Sequence, residues 1–268
     1  MTTESNSFTV TRIGIVNWLG LWTLLRKEVM RFLKVGFQTI LAPALSSLMF
    51  LLIFKFAFGA ARPTMQGVSF SQFLVPGLIM MGMLNQAFAN TASSLIIAKV
   101  QGNVVDFLMP PLSALELFLG FVGGAVMRGL IVGLVTALSM MLLVDFHIIH
   151  IWAVLWFALQ AVLMMGMIGL LAGVAAGRFD HLAAIQNFVL LPLTMLSGTF
   201  YSIKVLPESF QQFSLFNPFF YLIDGFRYGF TGVSDGSIAN GIWFVLTINL
   251  ILAVACYIML RSGWRLKT

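Results

Sequence analysis

The feature that most constrains this chain is a series of apolar stretches, each long enough to cross a lipid bilayer. A hydrocarbon core of about 30 Å requires about 20 helical residues. Such stretches lie at about 37–58, 72–96, 115–144, 151–176, 183–204 and 239–260. The sequence therefore predicts an all-α integral membrane protein with about six transmembrane helices.

Composition excludes a water-soluble globule. Hydrophobic residues make up 60% of the 268 residues and charged residues only 9%, whereas soluble domains carry about 25% charged residues. The net charge of +6 does not indicate a nucleic-acid partner, because the basic residues separate apolar segments and form no stripe with interleaved aromatics. A single cysteine, Cys256, allows neither a disulfide framework nor a cysteine-based zinc site.

The region before the first span divides into a tail and an amphipathic helix. Residues 1–16 are polar and lack the order of a cleavable signal peptide, so we expect them to be retained. Over 17–34, apolar residues recur at helical spacing opposite Arg26, Lys27, Arg31 and Lys34. This pattern predicts a helix on the cytoplasmic membrane surface, with a soluble partner-binding helix as the alternative. A permease domain over 35–262 and a basic C-terminus over 263–268 complete the chain.

The distribution of basic residues predicts the orientation, because lysine and arginine concentrate in cytoplasmic loops. With six spans, one side carries Arg12, Arg26, Lys27, Arg31, Lys34, Lys99, Arg178, Arg261, Arg265 and Lys267. The other side carries only Lys55, Arg62, Lys204 and Arg227. Both termini are therefore predicted to be cytoplasmic.

The segment between the fifth and sixth spans, 206–236, is aromatic and amphipathic rather than polar. We interpret it as a re-entrant or interfacial segment on the outer side. Asn217 followed by Pro218 predicts a helix start, since asparagine caps free N–H groups and proline fits the first helical turn.

No catalytic, cofactor or metal site is predicted. A Walker A loop needs a lysine after a glycine, and no lysine here follows one, so ATP hydrolysis is expected on a partner chain. The G-x-S-x-G match at 232–236 lacks the preceding strand of a serine hydrolase and is interpreted as a turn. Asp145, His147 and His150 could cluster, but no further metal ligand lies nearby in the sequence.

Three features within the spans bear on helix packing or on a translocation path. Arg128 falls near the middle of the third span, where inserting a charged side chain costs about 2.5–3.5 kcal/mol of free energy. In one interpretation it lines a substrate path or a subunit interface. In the other it bonds to carbonyls in a packed bundle. Glycines recur at every fourth residue, including Gly120 and Gly124, which favours close contact of the third and fourth spans. Pro192 is expected to kink the fifth span.

Several short motifs occur in a fixed order along the chain. They are NVVDFLMPPLS at 103–113 after the second span, LSGTF at 196–200 in the fifth, NPFFY at 217–221 and GFRYG at 225–229. Together with the surface helix and six spans, they cover nearly the whole chain. In this order and spacing they resemble the type-2 ABC exporter permeases, and within that group most of all the bacterial inner-membrane branch that includes nodulation-factor and polysaccharide exporters.

The resemblance implies a half-transporter in which two permease subunits, expected to be identical, face each other above two cytoplasmic ATPase subunits. It also implies that the surface helix and the loop after the second span transmit ATPase closure. The coupling candidates are Arg26, Lys27, Glu28, Arg31, Asn103, Asp106, Pro110 and Pro111. The candidates for the path or interface, including the outer re-entrant seal, are Gly124, Arg128, Pro192, Asn217, Asp224 and Arg227. Asp224 and Arg227, three residues apart, could partly neutralise each other.

The predicted function is therefore that of the permease subunit of an ATP-driven exporter in the bacterial inner membrane, for an amphiphilic or saccharide-type substrate. A secondary transporter is the alternative, although it would normally carry paired ionisable residues at mid-membrane, where only Arg128 is found. A membrane-embedded enzyme would need a convergent catalytic set, and none emerges from the sequence.

Overall fold

The computed structural model describes residues 14, 16–58, 64, 65 and 67–265. The predicted polar tail up to residue 13, Arg12, Arg62 and Lys267 lie outside the described residues, as do residues 266–268 of the C-terminus. Within the described part, the only extended pairing is an isolated bridge between Met65 and Val68. The predicted all-α fold is confirmed.

Eleven α-helices make up the described part of the chain. They are α1 (Trp18–Lys34), α2 (Ala42–Phe58), α3 (Phe70–Val100), α4 (Val105–Leu108), α5 (Ala114–Met141), α6 (Ile151–Ala175), α7 (Phe179–Ala184), α8 (Leu191–Met195), α9 (Glu208–Leu215), α10 (Pro218–Thr231) and α11 (Ile238–Ser262). A π-helical turn, Phe37–Leu41, leads into α2, and a second, Ile185–Leu190, joins α7 to α8.

Five of these helical segments are long and apolar enough to cross a membrane: Phe37–Ala57, Phe70–Val100, Ala114–Met141, Ile151–Ala175 and Ile238–Ser262. They correspond to all but one of the predicted spans. The predicted fifth span, 183–204, has different bounds: its helix begins at Phe179 and ends at Met195. The chain turns after Met195 because Gly198 adopts a left-handed conformation (φ +74°) that favours glycine.

Hydrogen bonds define two ends of the bundle. At one, which we call the basic end, Lys99 donates to the carbonyls of Val174 and Ala176, and Arg265 donates to that of Ala175 at 2.9 Å. The C-termini of α3, α6 and α11 therefore meet there. At the opposite end, the N–H groups of Ile149 and His150 donate to Gly229 O, each at 2.9 Å, which joins the start of α6 to the end of α10.

The α7–α8 run carries the chain between these two ends. It begins just after α6, at the basic end, and is followed by α10, whose C-terminal turn lies at the opposite end. The helix α11 then returns the chain to Arg265 at the basic end. The α7–α8 run is shorter than the five candidate spans, and it runs in the direction predicted for the fifth span.

Small residues bring the central helices together. The predicted contact between the third and fourth spans is present, since a Cβ on Gly129 of α5 would lie 2.5 Å from Val162 Cγ1 of α6. Other glycines of the repeat contact different helices. A Cβ on Gly173 would lie 3.2 Å from Ala92 Cα of α3, so α3 and α6 form the centre of the bundle.

The segment 206–236 folds into α9 and α10. As predicted, α10 begins at Pro218 with Asn217 as its cap, and Asn217 Oδ1 accepts the Phe219 N–H at 3.1 Å. Most of α10 is buried against α3, α6 and α11. Of the two interpretations of this segment, the packing of α10 favours the re-entrant one.

Candidate functional site

Helix α1 is seated on the bundle by one buried face. Leu24, Glu28 and Phe32, spaced four residues apart, are its buried residues. Gly120 and Gly124 of α5 provide the seat: a Cβ on Gly124 would lie only 2.6 Å from Glu28 Cβ, and one on Gly120 would collide with Leu24. These two glycines therefore hold the surface helix, and not only a neighbouring span.

The buried face of α1 carries a carboxylate into the bundle. Glu28 is 0% exposed, and its Oε1 accepts the Ser94 hydroxyl of α3 at 2.6 Å. Its Oε2 pairs with Arg31 Nη2 at 2.9 Å. The ion pair and the hydroxyl donor together offset the free-energy cost of removing the Glu28 carboxylate from water.

Arg31 extends this pair into α3. Its Nη2 donates to Asn90 O at 2.7 Å and its Nη1 to Ser93 Oγ at 3.0 Å. We call Glu28, Arg31, Asn90, Ser93 and Ser94 the polar cluster. The sequence interpretation that placed Arg31 with the outward basic face is wrong, because polar groups of α3, at Asn90 and Ser93, accept hydrogen bonds from its guanidinium.

The remaining coupling candidates lie at the basic end around a cleft. Arg26 and Lys27 are exposed on α1. The cleft, of about 290 Å³, is lined by Lys27, Asp106 and Pro110 together with residues from the start of α1. The structure thus brings part of the surface helix and part of the loop 103–111 to one place.

The loop itself is exposed and is held at its two ends. Asn103 N–H donates to Ala98 O at 2.8 Å, and Asp106 N–H donates to Asn103 O at 3.1 Å. At the other end, the Pro111 carbonyl accepts Asn17 Nδ2 at 3.3 Å. The loop therefore bridges the end of α3 and the start of α1.

Glu116, which the sequence analysis did not single out, ties the loop to α1. Its carboxylate accepts the backbone N–H groups of Ser113, at 2.6 Å, and of Asn17, at 2.5 Å. Ser113 Oγ in turn accepts the Glu116 N–H at 3.3 Å, which completes a capping box at the start of α5. The Ser-x-x-Glu spacing was the available signal for the cap.

Arg128 of α5 is 7% exposed and donates to the amide oxygen of Gln86 on α3. It lies 14 residues after the start of α5, about 21 Å along the axis at about 1.5 Å per residue. The Arg31 guanidinium lies close enough to repel it. The structure thus places Arg128 against a neutral amide and a like charge.

Arg128 and Arg31 both contact one partly exposed face of α3. Along this face the half-exposed residues Asn85, Gln86, Ala89 and Ser93 follow one another at helical spacing. We call them the polar stripe. The flanking residues of α3 are buried and mostly apolar.

At the opposite end, Arg227 of α10 is 1% exposed. It donates to Gly198 O at 2.6 Å, and its guanidinium carbon lies 3.8 Å from the centroid of the Phe73 ring. This is the geometry of a cation–π contact. Arg227 therefore joins α10 both to the turn after α8 and to the start of α3.

Asp224 makes its strongest contacts away from Arg227. Its carboxylate accepts the backbone N–H groups of Asp235 at 2.9 Å and of Gly236 at 3.0 Å. Burial raises the pKa of Asp224, while those two N–H groups and the nearby Arg227 charge act in the other direction. The two residues interact through their charges, but each holds a different loop.

Asn217 and Pro192 position the same region. Asn217 Nδ2 donates to Leu193 O at 2.9 Å and to Ser197 Oγ at 2.8 Å, so the cap of α10 is also the contact to α8. Pro192 is exposed at the start of α8, directly after the π-helical turn Ile185–Leu190. The change of helix type occurs where proline has no N–H to donate.

His150, near the start of α6, has a packing role. His150 stacks on Tyr228 with ring centroids 4.7 Å apart. Among the described residues, no group of three His, Cys, Asp or Glu side chains is placed to hold a metal ion.

Comparisons with known proteins cover both of these regions. The family described as ABC-2 type transporter matches residues 20–231. Inner membrane transport permease YadH of Escherichia coli (strain K12) is 39% identical over 254 residues, which cover 94% of this chain and 98% of the relative. Nodulation protein J of Rhizobium leguminosarum bv. viciae is 24% identical over 220 residues, covering 80% of this chain and 82% of the relative. Nodulation protein J of Sinorhizobium fredii is 22% identical over 228 residues.

Proposed function

This chain belongs to the ABC-2 type transporter family, and from that premise we propose that it forms the translocation path of an exporter for an amphiphilic or saccharide-type substrate. As a permease of this family it is a multi-pass protein of the bacterial inner membrane. It is a non-catalytic subunit, and ATP is hydrolysed on a separate ATPase chain.

The polar stripe of α3 supports this type of substrate. An entirely apolar bundle would offer a polar substrate group no hydrogen bonds, and burying such a group unpaired costs about 2–7 kcal/mol. The amides and hydroxyl of Asn85, Gln86 and Ser93 are half-exposed along one helix face, and apolar side chains surround them. This face suits a molecule with a polar head and an apolar chain.

A second copy of the chain is the proposed partner within the membrane. The apolar window of Phe37–Ala57 is only 11% buried, and Phe188 and Phe216, on either side of α8, are 81% and 79% exposed. In the proposed homodimer these surfaces are shared between the facing subunit and lipid. We propose that the α7–α8 run is the sixth membrane pass, so that both termini lie on the side of the basic end and this side faces the cytoplasm.

Coupling to the ATPase is proposed to occur at the basic end. Arg26, Lys27, Asp106 and Pro110 offer an exposed surface, and Asn103 and Pro111 hold the loop that presents it. Displacement of α1 there acts on α3 through the Glu28–Ser94 and Arg31–Asn90 bonds. The observation that carries the proposal is this buried ionic contact, which links α1 to α3.

The outer end is proposed to close the path. Asn217, Asp224 and Arg227 bind α10 to α8, to the loop 235–236 and to the turn at Gly198. Movement of α3 relative to α5 and α6 reaches this region through Phe73, which lies beneath Arg227. A substrate would leave when these contacts shift.

The experiment is reconstitution of the permease with its ATPase in proteoliposomes, comparing wild type with the double variant Arg26→Glu and Lys27→Glu. We expect the variant to insert normally and the ATPase to lose transport coupling, because the contact surface reverses its charge. The matched control is Arg178→Glu, an exposed arginine at the same end but away from the cleft. Transport at the wild-type level by the double variant would contradict the coupling surface. Uptake driven by an ion gradient without an ATPase would contradict the exporter assignment.

A further inference from the structure

One partly exposed face of α3 gathers more positive than negative charge. Arg31 and Arg128 reach the same face of α3, through Ser93 and Gln86. Among the described residues, Glu28 is the carboxylate that pairs with Arg31, whereas Arg128 bonds to a neutral amide. The group therefore carries an excess of about one positive charge in a medium where burying charge is costly.

Several donors in this group have no acceptor. Arg31 Nε, Asn90 Nδ2 and Arg128 Nε are buried and make no hydrogen bond. Asn90 is 0% exposed and Arg128 is 7% exposed, so bulk water does not readily satisfy them. Leaving a buried donor unpaired costs about 1–3 kcal/mol, and more for a charged group. An anion bound here would balance the surplus positive charge and provide the missing hydrogen-bond acceptor.

The group is also accessible from one side. The Arg31 side chain is 26% exposed, and the polar stripe between Gln86 and Ser93 is half-exposed. Ala89, between them, has too short a side chain to cover either guanidinium. A ligand that lies along this face of α3 can reach both arginines.

We propose that Arg31 and Arg128, with the polar stripe between them, bind the phosphate or carboxylate group of an amphiphilic substrate within the membrane. The identity of the ligand as cargo rests on the proposed exporter function. The anion offsets the surplus charge, and the guanidinium groups turn toward it to donate the hydrogen bonds that their buried Nε–H groups lack, while its apolar chain lies against the surrounding membrane-facing surface. Arg128 is in this arrangement a binding residue, and Glu28 limits the affinity by competing for Arg31.

The test measures binding to the purified permease in nanodiscs of phosphatidylcholine. The probes are dodecyl phosphate, dodecyl glucoside, which has the same chain without the charge, and inorganic phosphate, which has the charge without the chain. We expect wild type to bind dodecyl phosphate at least about tenfold more tightly than either of the others, since a hydrogen bond to a charged group contributes that much. Equal affinity for dodecyl phosphate and dodecyl glucoside would overturn the proposal.

Three variants test which side chains determine the preference for dodecyl phosphate. Arg128→Gln keeps a donor for Gln86 and removes the charge, so the preference for dodecyl phosphate should fall about tenfold. Glu28→Gln removes the competing carboxylate and should tighten dodecyl phosphate binding several-fold. Arg261→Gln, on the exposed end of α11, should change nothing. If Arg128→Gln does not give a monodisperse protein, the proposal is tested by Glu28→Gln alone. Dodecyl phosphate binding by Glu28→Gln that is unchanged or weaker than in wild type would contradict the proposal.

Two further outcomes distinguish a cargo site from a site for bilayer lipid, and distinguish a failure of this proposal from a failure of the proposed exporter function. In nanodiscs that contain phosphatidylglycerol, continued binding of dodecyl phosphate supports a cargo site, whereas its complete displacement would assign the site to bilayer lipid and overturn the cargo proposal. Because the measurement uses the permease without its ATPase, a failure of coupling in proteoliposomes leaves it unaffected. Anion preference without ATP coupling would then contradict only the proposed function.

Discussion

At the basic end of the bundle, Arg31 is held by side chains and one carbonyl of other residues, whereas at the opposite end Arg227 is held by a turn carbonyl and an aromatic ring. Arg31 contacts Glu28, Ser93 and Asn90. Arg227 contacts Gly198 O and the Phe73 ring. The first arrangement contains a carboxylate that balances the charge directly, and the second does not.

The difference matters for how each end can move. At the basic end, the polar contacts join two separate helices, α1 and α3, so they can be exchanged when one helix shifts. At the opposite end, Arg227 and Asp224 bind backbone groups of the turns at 198 and 235–236. Backbone contacts of this type fix the shape of a loop. We therefore expect substitutions at the opposite end to affect folding, and substitutions at the basic end to affect coupling first.

The largest effect is expected from Arg227→Ala. The variant removes a fully buried side chain, leaves Gly198 O without its donor and removes the positive charge that acts on Asp224. Removing one partner of a buried charged group costs about 3–5 kcal/mol. Thermal unfolding of the purified permease should show a much lower midpoint and little assembled protein. A midpoint within a few degrees of that of Arg261→Ala, an exposed control, would show that Arg227 does not hold this end together.

A smaller but more specific effect is expected from Glu28→Ala. The variant leaves Arg31 without its carboxylate and Ser94 without its acceptor, at a cost of about 1–3 kcal/mol. The opposite end contains none of these contacts, so the permease should still assemble. Measured in proteoliposomes, ATP hydrolysis should continue while transport falls. Unchanged coupling in this variant would show that α1 acts on the bundle by another route.

Gly124→Ala should reproduce part of the loss of transport expected for Glu28→Ala without removing a charged side chain. The added Cβ would lie 2.6 Å from Glu28 Cβ and 3.1 Å from Asn90 Nδ2, so α1 must move away from α5. Overpacking of this type costs about 1–3 kcal/mol. The matched control is Gly123→Ala, where the nearest atom is the end of a flexible leucine side chain, Leu25 Cδ1 at 3.0 Å. Coupling that falls equally in both variants would argue against the role of the glycine seat.

The contrast between the two ends also explains what the sequence could predict. Five of the spans, the helix start at Asn217 and the amphipathic nature of α1 follow from local patterns, and the structure has them. The inward turn of Arg31 could not be predicted, because it depends on small side chains of α3 that are about 60 residues away in the sequence. The same holds for Arg227, whose partners Phe73 and Gly198 belong to other segments.

The predicted fifth span shows how a composition signal can misplace a boundary. Residues 196–203 carry no charged side chain, so the sequence analysis placed the end of the span at Lys204. The structure ends the helix at Met195 because Gly198 turns the chain and Asn217 Nδ2 binds Ser197 Oγ and the Leu193 carbonyl. Tertiary contacts, rather than hydropathy, determine this end of the helix.

The smallest effect is expected from Asn17→Ala, at the very start of α1. Asn17 Oδ1 caps the helix by accepting the Gly20 N–H at 2.9 Å, and its Nδ2 reaches the Pro111 carbonyl of the loop. Loss of an asparagine cap costs about 1 kcal/mol. Because the backbone bond from Asn17 N to Glu116 survives the substitution, α1 should stay in place and only the link to the loop should weaken. We expect a modest fall in transport per ATP hydrolysed, with Asn17→Ser, which retains a cap, restoring it. A fall as large as that of Glu28→Ala would mean that the loop contact, and not the polar cluster, transmits the movement of α1.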